Sequence, residues 1–464
     1  MTGKTLANPR KDKVIYFLGK FMFNLFVGME MFYFAAYLTD AALLPVALAG
    51  IALNVPTVVD LILSFVNGAI IEKLPHPIGK YRFWLIIGPI FAVIFYTLCY
   101  VRIPGDLACT ILITVALILA HFFWALAENV FNSLPAILTD DMEERSSMSM
   151  LHGAGANWSS FLFGLIAMPI IMFFNKSLGS STGGYAIMTG MAGILYIIAY
   201  CVLAHSIKEA ERADAERQKL SPTQKKKGPS LKEMLANVVQ NPPMLVLMLY
   251  SLFYWTTAFL NSAMMFYYYN CTLGALALMS IGMSCTSVGT MISGFVFKPL
   301  LKLCKGSKRN LVITTNLICA AHLLIMWIIK PGPVVFIATN AVAAIFKGIT
   351  SMPLIAMYGD CANYGEWKTG VESKSFVMSM YGIPLKVGLM LKGFIVSGVL
   401  GLVGYTAANE PSFYAAAFNN SYCLLMAVLS IVSCLILAFG YHLTEERVTK
   451  LTTETEARNA AAKR

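Results

Sequence analysis

Asp60, Ser64 and Asn67 recur at helical spacing inside an apolar run, so one helix face carries an acid, a hydroxyl and an amide. Such a stripe suits a monovalent cation, or a proton held by the carboxyl alone. Pro56, one turn earlier, is set to kink that helix. Glu128 centres a second stripe, with Trp124, Asn132 and His121 on its face. An aromatic plane beside hydrogen-bonding groups suits a sugar, which offers a CH face to stack and hydroxyls to bond. In a third run Asn24, Gly28 and Met31 share a face, with Tyr33 and Tyr37 beyond. Lys386, after "YGIPL", calls for an acid partner, Glu128 or Asp60, or for an anionic ligand. Glu30, Lys20, Lys347 and Lys392 are further charges among apolar neighbours. A charge at mid-membrane costs about 2.5–3.5 kcal/mol on insertion scales, so each is a functional candidate.

The elements that must position these residues are apolar helices. The chain has 464 residues, 58% hydrophobic and 13% charged, with a mean hydropathy of +0.68. Twelve runs are long enough to cross a bilayer: 14–38, 44–71, 83–101, 107–138, 151–174, 185–207, 244–270, 275–300, 310–329, 334–357, 375–403 and 415–441. The net charge of +11 does not indicate nucleic acid, because of where the charge lies. With both termini cytoplasmic, only Arg102, Lys176 and Lys330 of the 35 Lys and Arg fall in outer loops. That is a positive-inside pattern for an integral plasma (inner) membrane protein. No short cleavable leader precedes the first run. The ten cysteines are scattered without a CxxC pair or metal-site spacing, so they read as small buried apolar side chains and no cofactor is expected. No nucleophile–base set stands out, which argues against an enzyme. The "FYYYN" run at 266–270 reads as an interfacial aromatic belt.

A polar segment, 208–243, divides the helices six and six, giving bundles at 1–207 and 244–441 and a cytoplasmic tail at 442–464. Within it Ser230 and Glu233 form a capping box ahead of an apolar stripe, a short helix on the inner membrane surface. The halves echo each other. "GAIIEKLPHPIGKYR" (68–82) and "GFVFKPLLKLCKGSKRN" (294–310) each run from Gly through apolar residues to a basic turn. "SLPAILTDDMEER" (133–145) and "SMPLIAMYGDCANYGEWK" (351–368) each end in an acidic cluster. A parallel repeat of six helices is the build of major facilitator transporters. The acids and bases Asp140, Asp141, Glu144, Arg145, Asp360, Glu366 and Lys368 are placed to latch the inner face against the basic turns, through pairs weak enough to open every cycle.

"YLTD" (37–40), "VVDLILSFVNG" (58–68), "GKYRFW" (79–84), "LTDDMEERS" (138–146) and "GDCANYGEWKTG" (359–370) resemble the glycoside–pentoside–hexuronide:cation symporters, the melibiose permease group. The resemblance spans essentially the whole chain, and the 359–370 motif is its most specific part. It implies an all-α membrane protein of twelve transmembrane helices in two six-helix bundles, importing a sugar or glycoside with a proton or sodium. Asp60 matches the first acid of the family's D-x-x-N-D cation motif, whose asparagine is Leu63 here and whose second acid is Ser64. Glu128 stands where the fourth-helix sugar-binding acid is expected, and Lys386 matches the eleventh-helix lysine. The first-helix acid becomes Asn24. The family's cation-site threonine aligns with Trp124, its fifth-helix arginine with Gly153 beside His152, and a site tryptophan with Asn132. With one carboxylate left, a proton is favoured over sodium, and uncoupled transport stays open. The expected partners are a sugar or glycoside, a monovalent cation and the lipid bilayer, with no nucleic acid. The cation site is Asp60, Ser64 and Asn67, and the substrate site Asn24, Trp124, Glu128, Asn132 and Lys386. Two rival readings are a lipid- or drug-like solute carrier on the same fold, with Glu128 dispensable, and a membrane sugar receptor that does not transport.

Overall fold

A computed structural model describes residues 8–73, 77–139, 141–212, 238–370 and 380–461. The described elements are helices, and twelve of them are long and apolar enough to cross a membrane. The longer ones are α1 (Pro9–Phe32), α2 (Val46–Lys73), α3 (Lys80–Leu98), α4 (Asp106–Leu138), α5 (Met142–Leu178), α6 (Gly183–Ser206) and α7 (Pro242–Tyr267). They continue with α8 (Met279–Leu303), α9 (Lys308–Ile329), α10 (Pro333–Ser351), α11 (Leu354–Thr369), α12 (Gly382–Val403), α13 (Met426–Gly440) and α14 (Glu445–Ala461). The short surface helix expected within 208–243 falls mostly on 213–237, outside the described residues.

Helix ends follow local chemistry. The Asn8 side chain caps α1 by accepting from the Lys11 amide, with Pro9 in the first turn, where its missing N–H costs nothing. Asp141 caps α5 through the Glu143 amide, and Gly179 closes that helix in the left-handed region. The helices form two compact units. One comprises Met1–Thr223, Met265–Ser287 and Gly393–Tyr414, the other Gln224–Met264, Val288–Lys392 and Ala415–Arg464.

The repeat seen in the sequence reappears as hydrogen bonding inside each unit. In the first, Glu211 beyond α6 accepts from the Tyr81 amide, and Arg82 donates to the Ala204 carbonyl. In the second, Glu445 beyond α13 accepts from the Lys308 amide, and Arg309 donates to the carbonyls of Leu437 and Ala438. A basic turn is thus tied to the end of a distant helix in both. The far ends repeat as well. α1 runs on into a π-helical turn at Tyr37–Ala41 and α7 into one at Tyr268–Thr272. Each is followed by a left-handed residue, Leu43 (φ 54°) and Gly274 (φ 59°).

The polar stretch 359–370 differs from its expected form. It does not follow the end of a helix; it is the second half of α11, which starts after a break at Met352 and Pro353 and closes at Gly370. Leu354, Met357, Tyr358, Cys361 and Ala362 put one apolar face into the second unit's core. The segment expected as a tail is largely helical too. Leu443 and Leu451 join that core, Trp367 donates to Glu454 at 2.8 Å, and Arg458 donates to the carbonyls of Glu366 and Trp367 at 2.9 and 3.0 Å.

Small residues set the closest helix approaches. A methyl added at Gly289 on α8 would collide with the Ala341 carbonyl of α10, whereas nothing lies within 4 Å of one added at Gly274. Gly289→Ala is therefore expected to cost about 3 kcal/mol, the upper end for overpacking, because a backbone carbonyl cannot swing aside. Gly274→Ala should cost only about 1 kcal/mol of left-handed strain. Thermal unfolding of the detergent-purified protein ranks the two.

Candidate functional site

On α1, Tyr16, Lys20, Phe23, Phe26 and Glu30 follow at three- and four-residue steps and share a face. α4 meets that face with His121, Trp124, Glu128 and Phe131, and α6 adds Tyr196 and Tyr200. The Lys20 ammonium lies 2.5 Å from Glu128 Oε1, with the two side chains 10% and 16% exposed. Tyr200 donates to the other carboxylate oxygen at 3.0 Å. Next to the pair, Tyr16 stacks on Phe131 at 4.5 Å, and its hydroxyl is 3.4 Å from His152 Nδ1 on α5. On the other side Trp124 is boxed by Phe23, Phe26 and Tyr96 in edge contacts and by His121 at 4.5 Å. Beyond it His121 Nε2 meets Glu30 Oε2 at 3.0 Å, both side chains 3% exposed.

The arrangement is a carboxylate held by one cation and one phenol, with a large aromatic plane a turn away. A ligand hydroxyl can take over either bond to Glu128 without leaving the acid bare.

The other expected site residues distribute as follows. Asn24 is half-buried, one turn beyond Lys20, while Asn132 is exposed. Lys386 is half-buried in α12 and belongs to the second unit; the base set against Glu128 is Lys20. Asp60 is half-buried on α2. Ser64 turns its hydroxyl back to the Leu61 carbonyl at 2.7 Å, and Asn67 is fully buried, its amide finding no hydrogen-bond partner among the described residues. Among the latch residues, Asp140 lies outside the described residues. Asp141, Glu144 and Arg145 close the local α4–α5 turn, the latter two through Thr139 at 2.5 and 2.8 Å. Asp360 is paired with Lys308 inside the second unit, Glu366 is buried, and Lys368 donates to the Gln240 carbonyl at 2.8 Å. That unit also holds Lys347, 3.4 Å from the Asn261 amide oxygen, and Asn261 in turn donates to Tyr422 at 2.8 Å.

Sequence reading missed Lys20 and Tyr200 as partners of Glu128, and it singled out a neighbouring face of α1. The Tyr16–Lys20–Phe23–Glu30 stripe was the signal available. The aromatic run 266–270 is not a belt. Tyr267, Tyr268 and Tyr269 are buried, and the Tyr267 hydroxyl lies 2.9 Å from that of Thr39. Thr39 also donates to Asp40 at 2.6 Å, and Tyr405 donates to the second Asp40 oxygen at 2.6 Å. These residues join the ends of α1, α7 and α12 within the first unit.

Residues 15–445 match the family model of MFS/sugar transport proteins. The chain belongs to that family. Members similar to it include an uncharacterized symporter of Bacillus subtilis (strain 168), 26% identical and aligned over 94% of this chain and 93% of its own length. A glucuronide carrier protein homolog of Escherichia coli (strain K12) is 24% identical, over 96% and 94%. In fold, a D-xylose-proton symporter crystal structure superposes with a TM-score of 0.66 at 13% identity, covering 93% of this chain and 98% of that one. The protein is thus an integral membrane transporter of the major facilitator type, as the sequence resemblance implied.

In this MFS/sugar transport protein, removing one partner of a buried pair strands the other charge, at about 3–5 kcal/mol. Lys20→Met should destabilise the protein by that order, and Lys20→Met with Glu128→Gln should recover most of the loss. Thermal unfolding of both variants checks this. At the Asp40 cluster, burial pushes the carboxyl up from its ordinary value, and the hydrogen bonds from Thr39 and Tyr405 pull it partly back. A carboxyl raised on folding stabilises below its unfolded pKa, and that contribution is lost as pH rises through the folded value. Asp40→Asn should flatten this acid-side gain in unfolding temperature.

Proposed function

We propose that the chain imports a sugar or glycoside (a glycoside, pentoside or hexuronide) by cation symport through alternating access, with a proton as the coupling ion. The observation that carries this reading is the Lys20–Glu128–Tyr200 network beside Trp124, deep among membrane-spanning helices. Hydroxyl-rich ligands are recognised by such a set of acceptor, donors and aromatic plane. The names of the similar family members, a symporter and a glucuronide carrier homolog, support the same substrate class. Asn24, Trp124, Glu128 and Asn132 of the first unit are assigned to the substrate, and Lys386 keeps that assignment on the family resemblance alone.

Asp60 is assigned to the coupling ion, with Ser64 and Asn67 on its face. Asn67 lies two turns away, about 10 Å along the helix, too far to share with Asp60 a sodium ion that needs several oxygens at short range. A proton needs only the carboxyl. With both termini cytoplasmic, Asp141, Glu144, Arg145, Asp360, Glu366 and Lys368 fall at the inner mouth as gating residues. A membrane potential of 100 mV supplies about 2.3 kcal/mol per charge moved. At about 1.4 kcal/mol per decade, it supports roughly 40- to 50-fold accumulation of a neutral sugar.

The lipid-like reading has one observation in its favour, an apolar groove of about 680 Å³ along α2 and α12 lined by Val46, Ile51, Val55, Phe394 and Gly401. The two readings part at Glu128. Proteoliposomes carrying the protein are loaded with a radiolabelled pentose, neutral glycoside or methyl glucuronide and given a pH or a sodium gradient. Sugar accumulation driven by the pH gradient is expected, lost in Asp60→Asn, with sugar binding weakened at least tenfold in Glu128→Gln. Accumulation unchanged by Asp60→Asn overturns the coupling assignment. Normal binding of every transported ligand by Glu128→Gln overturns the substrate site.

A further inference from the structure

Among the described residues, Lys347 meets neutral groups alone. It lies on α10, about 21 Å along the helix from Pro333, inside a run of membrane-spanning length. Its ammonium donates to the Asn261 amide oxygen at 3.4 Å, and no acid stands within ion-pair distance of it among the described residues. The elements around it bring uncharged groups. From α7, Tyr254 and Asn261 share a face, and the Tyr254 hydroxyl donates to the Lys347 carbonyl at 3.4 Å. From α9, Cys319 reaches the Ala343 carbonyl at 3.6 Å, one turn before Lys347. From the π-helical turn Asn420–Leu425, Tyr422 accepts from Asn261 at 2.8 Å. These residues all belong to the second unit.

We propose that Lys347, held in place by Asn261, binds the carboxylate of the transported solute, which is then a sugar acid with one negative charge. The inference rests on the sugar-transport reading above and narrows its substrate class to the uronides. A lysine among apolar helices is unfavourable unless its charge is answered, and one amide oxygen accepts from only one of its three N–H groups. A carboxylate supplies the missing charge and accepts from the others, in a charge-assisted contact stronger than the neutral one it joins. Lys347 and Asn261 are each half-buried, so part of their surface stays open to a ligand.

Charge sets the class of ligand. One lysine balances one carboxylate, whereas a phosphate monoester carries about −1.5 to −2 and exceeds it. Lys20 is not available for this task, because Glu128 already balances it at 2.5 Å. Asn261 is the positioning residue. Its amide nitrogen is fixed on Tyr422, so its oxygen faces the ammonium and steadies it with or without a ligand.

The test is the affinity of the detergent-purified full chain for methyl glucuronide and methyl galacturonide, each against its neutral methyl glycoside, by calorimetric titration. The uronide-to-glycoside ratio is read within each variant, so a loss of active protein cancels. The wild type is expected to prefer a uronide at least tenfold. Lys347→Gln should lower that ratio at least tenfold, and a ratio equal to wild type overturns the proposal. Asn261→Asp keeps the lysine but sets a carboxylate of the chain's own against it, and should lower the ratio as far. Should Lys347→Gln not fold, an unchanged ratio in Asn261→Asp overturns the proposal by itself. A ratio lost in Lys386→Gln and kept in Lys347→Gln places the anion on Lys386 and overturns it as well. If the neutral glycosides alone bind, only this proposal falls. If no sugar binds, the sugar-transport reading falls and takes this one with it.

Discussion

Inside a bilayer there is no water to answer a charge, and the rest of the first unit is arranged around that constraint. Lys20 and Glu30 stand about 15 Å apart along α1, and each is met by a side chain of α4. Two ionic contacts at two depths fix the rotation and the height of one helix against the other. Sliding or turning α1 would strand charges at both levels. The space between is filled by rings, so the pairs stay dry. α1 also lies against α5, where Gly28 meets the Phe163 ring and Gly155 the Phe17 carbonyl. It is the element from which the positions of α4, α5 and α6 are read.

The internal repeat shows which parts of this architecture are scaffold and which are chemistry. The basic turn tied to a distant helix end, the π-helical turn and the left-handed residue after it occur in both halves of the chain. They answer the same physical need, closing a long helix without leaving backbone groups bare. Among the described contacts, the intramembrane groups differ between the units. The first unit has carboxylates against a lysine and a histidine, while the second has Lys347 against an amide. A duplicated frame thus carries unlike contents.

The sequence made the twelve helices legible because length and apolarity alone decide them. It also drew attention to the helices that carry Glu128, Asp60 and Lys386, charges conspicuous in apolar surroundings. Its failures have physical reasons. The stretch 359–370 looks like a loop because Gly359, Asp360, Asn363, Gly365 and Lys368 dominate its composition. The residues that make it helical are the fewer apolar ones at helical spacing, buried against α14 and its neighbours. Nothing local encodes that Glu128 pairs with Lys20, because 108 residues separate them and only packing brings α1 to α4. The tyrosines of 266–270 look interfacial by type, but the Thr39 hydroxyl answers that of Tyr267 and the Tyr405 ring packs edge-on against it, so it can be buried. Tyr is amphipathic, and which end of that character is used is decided by neighbours the sequence does not place.

Trp124 is where these strands meet. Its ring touches Phe23, Phe26, Tyr96 and His121, and a carboxylate stands one turn to either side, Glu128 on its own helix and Glu30 behind the imidazole. A ligand that stacks on the indole must displace one of those contacts, and the contact with His121 is the one whose strength depends on charge. A protonated imidazole and a neutral one interact differently with an aromatic face. A ligand at Glu128 and a change of charge on His121 would therefore act on the same ring. Whatever free energy one event spends in shifting that ring is returned in the affinity of the other, by the reciprocity that binds any two linked equilibria.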